Sequence, residues 1–307
     1  MPQQFFYIPY LNVVEQVSNM TCMIVAIVLF SNLLLRNAFG RQNALRSISG
    51  TLTFYMTYHF ICAITAFPCS FYQMIDWIRV LQSSDRQLHK EWADQLGFWF
   101  GTFASNYIFV APVPTLFLTL DRCLVLKFKW AYTKSLRTKM LVANCFVTCS
   151  VYLAVTGMSL GELPLQLDKI MNCIANTCFA LRFRTLHYYY TRLVVESINV
   201  MLSIYFFIML RRHHQTAKTS LRTRVVKLTL VADIAFSMVP NYIQLIFNTV
   251  TGMSLGVYLG TFATTTFMFH PALCSIMYTR IFLSRSQNTK VMTISAQNAK
   301  FDTTTGG

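Results

Sequence analysis

The stretch "PTLFLTLDRCLVLKFKWAY", residues 114–132, joins a long apolar run to charges that begin abruptly at Asp121 and Arg122. The rest of the chain has the same character, because 54% of its 307 residues are hydrophobic and only 12% are charged. Ordinary soluble domains carry about a quarter charged residues. A soluble fold of this length could not bury so much apolar surface, so the composition predicts a membrane protein.

Seven apolar stretches are long enough to cross a bilayer, whose hydrocarbon core needs about 20 residues of helix. Their approximate limits are 14–35, 48–72, 96–120, 140–160, 188–210, 225–249 and 254–281. The sequence therefore predicts an all-α membrane protein that forms a seven-transmembrane helix bundle. We expect one membrane domain over residues 1–281 and a disordered tail at 282–307, which ends in "DTTTGG".

The basic residues predict the orientation of this bundle. Of the 26 Lys and Arg residues, 19 follow spans one, three, five or seven, and the first 35 residues contain none. Segments rich in Lys and Arg stay on the cytoplasmic side, so we expect the N-terminus outside and the C-terminus in the cytoplasm. The net charge of +15 is then explained by topology and by attraction to anionic lipid, and nucleic acid is not an expected partner.

The end of the third span carries the sequence Asp121-Arg122-Cys123. In a seven-span chain it resembles the Asp-Arg-Tyr switch of rhodopsin-like G-protein-coupled receptors, and Tyr132 stands where that family often has a Tyr in its second intracellular loop. The resemblance implies that Arg122 holds the inactive packing and later contacts the G protein, while Asp121 restrains it. The alternative is that both charges only reach from the helix end into water.

Two later spans extend the resemblance. Pro240 in "FSMVPNY" matches the family's kink in the sixth span, and His270-Pro271 in "HPALCSIMY" matches Asn-Pro in the seventh. Asp233, in the inner half of the sixth span, is expected to belong to the same activation machinery, with His270 or Arg122 as possible partners.

Other features depart from the rhodopsin-like pattern. The outer start of the third span has no Cys, the fifth span has no Pro, and His59 replaces the Asp common in the second span. With short loops and "LTLDRC", the chain looks most similar to the nematode serpentine chemoreceptors, of class BC or a sister class. The resemblance implies a receptor without a cofactor that binds a small organic ligand on the extracellular side and activates a heterotrimeric G protein. It also implies the plasma membrane, in sensory cilia of chemosensory neurons.

Polar residues inside spans are candidates for ligand contact, because each is costly in lipid. Arg192 and Glu196 are four residues apart on one helical face and are expected to pair. Glu196 then either faces the ligand cavity or only neutralises Arg192, and both readings stay open. Asn106, Asn241 or both are expected to line the pocket.

Three cysteines are expected outside the cell. Cys173 and Cys178 in "NCIANTC" could close a small ring, or either could reach Cys69. The sequence has no Cys or His constellation with zinc spacing, so no metal is expected.

An enzyme and a small-solute transporter are the two alternative classes of function. An enzyme would need a cluster of catalytic side chains, and none is visible. A small-solute transporter would show repeats and interrupted helices. Repeats are absent, but Pro112 and Pro114 in "APVP" predict a distorted middle in the third span. The transporter therefore stays as the alternative.

Overall fold

The computed structural model describes residues 8–39, 49–82, 91–128, 133–161, 163, 186–213, 221–251 and 255–282. Every regular element in these ranges is a helix. The elements in chain order are α1 (Ile8–Ala38), α2 (Gly50–Gln82), α3 (Glu91–Val110), α4 (Pro112–Lys127), α5 (Lys134–Leu160), α6 (Leu186–His213), α7 (Leu221–Asp233), a π-helix (Ile234–Met238), α8 (Val239–Thr251), α9 (Gly256–Leu259) and α10 (262–282).

Six segments are long and apolar enough to cross a bilayer. They are Ile8–Ala38, Gly50–Arg79, Gln95–Lys127, Lys134–Leu160, Arg192–Arg212 and Arg224–Thr251. The chain is therefore a helical membrane protein that crosses the bilayer several times. The seventh predicted span corresponds to α9 and α10, which are not among these six, so the seven-span count and the orientation of the termini stay predictions.

The third span is interrupted where its prolines predicted a distortion. Helix α3 ends at Val110, Ala111 forms a turn, and α4 starts at Pro112. Neither Pro112 nor Pro114 has an N–H to donate to the preceding turn. The backbone N–H of Ala111 still bonds the carbonyl of Tyr107 at 3.1 Å, so the two helices continue each other.

The sixth span contains an irregularity just before the predicted kink at Pro240. The π-helix occupies the five residues Ile234–Met238, and the N–H of Val239 bonds the carbonyl of Ile234. A proline ring clashes with the carbonyl four residues earlier, which here is Phe236. The wider turn of a π-helix places that carbonyl differently and relieves the clash.

The helices enclose two groups of buried apolar side chains. One surrounds Tyr55, Leu118 and Tyr278, and the other surrounds Tyr107 and Phe267. The outward faces are also apolar, with exposed side chains that include Val14, Val28, Phe146, Leu153, Met201 and Ile204. Apolar residues on both faces are typical of helices surrounded by lipid.

Candidate functional site

The Asp121–Arg122 pair is buried at the start of α2 rather than exposed at a helix end. Arg122 Nη2 lies 3.3 Å from Asp121 Oδ2, and the two side chains are 5% and 1% exposed. Arg122 also donates to Ser49 Oγ, while Thr51 donates to Asp121 Oδ2 at 3.1 Å. These four residues form the α2–α4 cluster. The alternative in which both charges reach water does not fit this burial.

Ser49 is held in position because it is the N-cap residue of α2. Its Oγ accepts a hydrogen bond from the N–H of Leu52 at 3.4 Å, which is the N-cap arrangement that serine favours. The same oxygen accepts from Arg122 and lies 3.1 Å from the hydroxyl of Thr51. The sequence "SGT" at residues 49–51 signals a helix start, but nothing local indicates that this start binds α4.

One face of α6 carries a row of buried polar residues. Arg192, Glu196, Asn199 and Ser203 are all at most 6% exposed. Their spacings of four, three and four residues place them on one face of the helix. Only Arg192 and Glu196 were singled out from sequence. The continuation of the same spacing could also have identified Asn199 and Ser203.

The first polar group on this face, the Arg192 cluster, joins α6 to the sixth span. Arg192 Nε donates to Glu196 Oε1 at 2.7 Å, which is the predicted i,i+4 pair. Glu196 Oε1 also accepts from Ser237 Oγ at 3.2 Å and from Asn241 Nδ2 at 2.9 Å. Arg192 Nη2 donates to Ser237 Oγ at 3.2 Å, and its guanidinium carbon lies 5.6 Å from the ring centroid of Phe267. The structure thus brings together three of the four predicted ligand-contact residues.

The second group, the Asp233 cluster, lies next along α6. Asn199 Nδ2 donates to Asp233 Oδ2 at 2.7 Å, and Asn199 Oδ1 accepts from Thr119 Oγ1 on α4 at 3.2 Å. The expected partners of Asp233 were His270 or Arg122, and that expectation is wrong for the hydrogen bond. The reason is geometric, because Asp233 is the last residue of α7, directly before the π-helix, and its carboxylate faces α6.

His270 lies in a separate group of aromatic and histidine side chains. Its Nε2 shares a hydrogen bond with the hydroxyl of Tyr55 at 3.3 Å, and its ring centroid lies 5.8 Å from that of His59. His59 Nδ1 shares a hydrogen bond with Tyr107 at 2.8 Å, so His59 is a packing residue with a partner. Pro271 is buried beside His270.

The remaining predicted residues are not brought to the Arg192 cluster. Asn106 is fully buried, and its Nδ2 donates to Thr156 Oγ1 on α5 at 2.8 Å. Tyr132 and the cysteines Cys173 and Cys178 lie outside the described residues, so their predicted roles stay predictions. Cys69 is buried.

Sequence reasoning also missed the buried carboxylate of Glu15 on α1. Its Oε2 accepts from the N–H of Thr261 at 2.6 Å and from the hydroxyl of Thr261 at 2.8 Å. Glu15 therefore caps the start of α10, where helix N–H groups lack partners. Glu15 and Thr261 are 246 residues apart in the chain, so no local sequence pattern could indicate this contact.

Comparisons with known proteins give no assignment for this arrangement. Among the described residues, no group of three His, Cys, Asp or Glu side chains is placed to hold a metal ion. No model of a known protein family matches the chain, and no curated protein is significantly similar to it.

Proposed function

We propose that the protein is a chemosensory G-protein-coupled receptor with seven spans, an extracellular N-terminus and a cytoplasmic C-terminus. The observation that carries the proposal is the α2–α4 cluster, in which a buried Arg–Asp pair is fixed by two hydroxyl groups of another helix. Removing one partner of a buried ion pair costs about 3 to 5 kcal/mol. A contact of this kind has two distinct states, made and broken, which is what a switch requires.

The proposed ligand is a small organic molecule bound near the Arg192 cluster, on the extracellular side. Asn199 lies three residues after Glu196 on the same face of α6, and it bonds both Asp233 and Thr119 on α4. This shared face of α6 supports a physical link between the two regions. Thr119 lies two residues before Asp121. A ligand that favours one arrangement of α6 and the sixth span would thereby shift the population of the α2–α4 cluster. The proposed partner on the cytoplasmic side is a heterotrimeric G protein, and the proposed location is the plasma membrane, in sensory cilia.

Nucleotide exchange on a reconstituted receptor and G protein tests this function. The wild type should accelerate exchange when a compound from a panel of small volatile and lipid-like molecules is added. Arg122→Ala should bind the same compound but lose the acceleration, because the substitution removes the side chain that is proposed to contact the G protein at the inner face. The matched control is the double variant Arg79→Ala with Asp76→Asn. It removes an arginine whose side chain is 66% exposed together with its ion-pair partner, and it should leave both readouts unchanged.

Two results would contradict the receptor. If Arg122→Ala lost both binding and surface expression, the α2–α4 cluster would have only a structural role. Uptake of the compound into sealed liposomes without any effect on nucleotide exchange would instead favour a transporter. The irregular turn at Ala111 between α3 and α4 is the observation that keeps this second candidate, although the two helices continue each other there, because irregular helices are found at transporter binding sites.

A further inference from the structure

Gly50 lies between the two residues that hold the Asp121–Arg122 pair at the start of α2. Ser49, on one side, accepts a hydrogen bond from Arg122, and Thr51, on the other side, donates one to Asp121. Gly50 is the first residue of α2, and its backbone does not have the left-handed φ that favours glycine. A glycine at this position is therefore better explained by the space that its missing side chain leaves.

That space is occupied by Leu141 of α5. An added Cβ at Gly50 would lie 3.0 Å from Leu141 Cδ2, 3.7 Å from its Cγ and 3.8 Å from its Cδ1. Carbon atoms in ordinary contact are about 3.5 to 4.0 Å apart, so a methyl group here would press Leu141 away from α2. Small residues allow such close approach between helices in membranes. Gly50 and Leu141 thus form a point of close contact between α2 and α5.

Helix α5 has few buried side chains that fix its position. Of its 27 residues, all of which the structure describes, the buried ones are Asn144, Thr148 and Val155. Towards its C-terminus, α5 is attached to α3 by the hydrogen bond of Thr156 with Asn106. Towards its N-terminus, the contact of Leu141 with Gly50 joins it to α2. A helix with few buried side chains moves more easily than one in the core, so this contact affects where the N-terminal half of α5 lies.

Helix α5 also packs against α4, and α4 packs against α2. The three helices therefore meet around the α2–α4 cluster, with α5 in contact with both sides of it. A movement of α5 away from Gly50 would remove the support of α2 at the residue between its two bonds to α4.

We propose that Gly50 and Leu141 are positioning residues for Arg122, such that α5 holds the start of α2 against α4 and displacement of α5 from α2 breaks the α2–α4 cluster. The inference rests on the proposed function for the role of this cluster as a switch, and it adds the helix that controls the switch.

Transfer of one CH₂ unit from α5 to α2 tests the inference. Gly50→Ala adds the unit to α2 and should push α5 away. Leu141→Val removes the unit from α5 and should loosen the contact without a clash. The double variant keeps the total side-chain volume, and volume-conserving changes are usually tolerated.

Hydrogen–deuterium exchange of the amides of Leu52 and Thr53 measures opening of the α2 start without a ligand or a G protein, because both N–H groups bond Ser49. Exchange should be at least about fivefold faster in Gly50→Ala than in the wild type, which corresponds to the lower end of the cost of overpacking. In the double variant, it should return to within about twofold of the wild-type rate, because the two changes compensate each other. Basal nucleotide exchange should rise and return in parallel, since a broken cluster releases Arg122.

Two further variants complete the test. Leu141→Val alone should accelerate amide exchange by less than Gly50→Ala, and it replaces that variant if Gly50→Ala does not fold. Gly157→Ala is the matched control, because an added Cβ there would meet nothing within 4 Å, and it should leave both rates unchanged.

Three results would overturn the inference. They are an unchanged rate at Leu52 and Thr53 in both single variants, a double variant that exchanges as fast as Gly50→Ala, and an acceleration spread equally over all helices, which would indicate a general loss of stability. Accelerated and then restored amide exchange without any effect on nucleotide exchange would leave the role of α5 standing and refute the proposed function.

Discussion

Single residues at the contacts between helices carry much of the chemistry of this protein. Arg122 and Asp121 lie where a lone charge is costly. Each neutralises the other, and each also forms a hydrogen bond with a hydroxyl group at the start of α2. Replacement of a buried ion pair by apolar residues is often neutral or stabilising. The pair therefore need not contribute to stability, and under the proposed function its role is to switch.

Gly260 shows how one residue fixes the start of α10. Its φ is +60°, and an added Cβ would lie 2.6 Å from Asn12 Oδ1 and 2.7 Å from Glu15 Oε2. Gly260→Ala should displace Glu15 from Thr261 and lower the free energy of unfolding by about 1 to 3 kcal/mol, because the left-handed backbone is itself strained for alanine. Thermal unfolding in detergent measures this loss.

Gly157 provides the matched control for that substitution. It lies inside α5, and an added Cβ would meet nothing within 4 Å. In a helix interior, alanine is more favourable than glycine by about 1 kcal/mol. Gly157→Ala should therefore keep or raise the midpoint temperature of thermal unfolding. An unchanged midpoint in Gly260→Ala would contradict the capping role of Glu15.

At the scale of the element, the π-helix sets which side chains of the sixth span face α6. Asp233, Ser237 and Asn241 follow one another at intervals of four positions, and all three form hydrogen bonds with α6. In a regular α-helix, eight residues turn about 80° past two full turns, which would separate Asp233 from Asn241. The wider π turn keeps both on one face. A change of this segment to α geometry would break either the Asp233 cluster or the Arg192 cluster.

Deletion of Ala235 tests this arrangement. The deletion leaves Asp233 and Asn241 seven positions apart, which places them within about 20° of each other on one face of a regular α-helix. The variant should keep both clusters and unfold at the same or a higher temperature than the wild type, since π-helices are rare and irregular. If the proposed function holds, ligand-stimulated nucleotide exchange should be lost, because the shortened segment can no longer change between π and α geometry.

Deletion of Leu228 is the control, because it removes a residue from the regular helix α7. It should rotate the preceding part of α7 by about 100° and reduce surface expression. Equal loss of expression in both deletion variants would refute the special role of the π-helix.

At the scale of the whole molecule, apolar helices and clustered basic residues define how the chain lies in the bilayer. Exposed apolar side chains occur on the outward faces of several helices, and Lys and Arg follow alternate predicted spans. An epitope placed before Met1 should be labelled on intact cells, whereas one placed after Gly307 should be labelled only after permeabilisation. Labelling of both without permeabilisation would exclude an odd number of spans.

The sequence by itself determined the features that depend on neighbours in the chain. Apolar runs of about 20 residues predicted seven spans, and six of them coincide with helices that can cross a membrane. The i,i+4 spacing predicted the contact of Arg192 with Glu196, and "APVP" predicted a distortion in the third span, where Ala111 forms a turn. Hydrophobic length, helical periodicity and the missing proline N–H all act over a few residues, so they can be read without a fold.

Only the tertiary structure decided which helical faces meet. Thr51 bonds Asp121 across 70 residues, and Glu15 bonds Thr261 across 246. The partner of Asp233 is Asn199 because the π-helix changes the rotation of the sixth span. Apolar helices have many faces of similar hydrophobicity, and the choice among them depends on close packing and on the pairing of buried polar groups throughout the bundle.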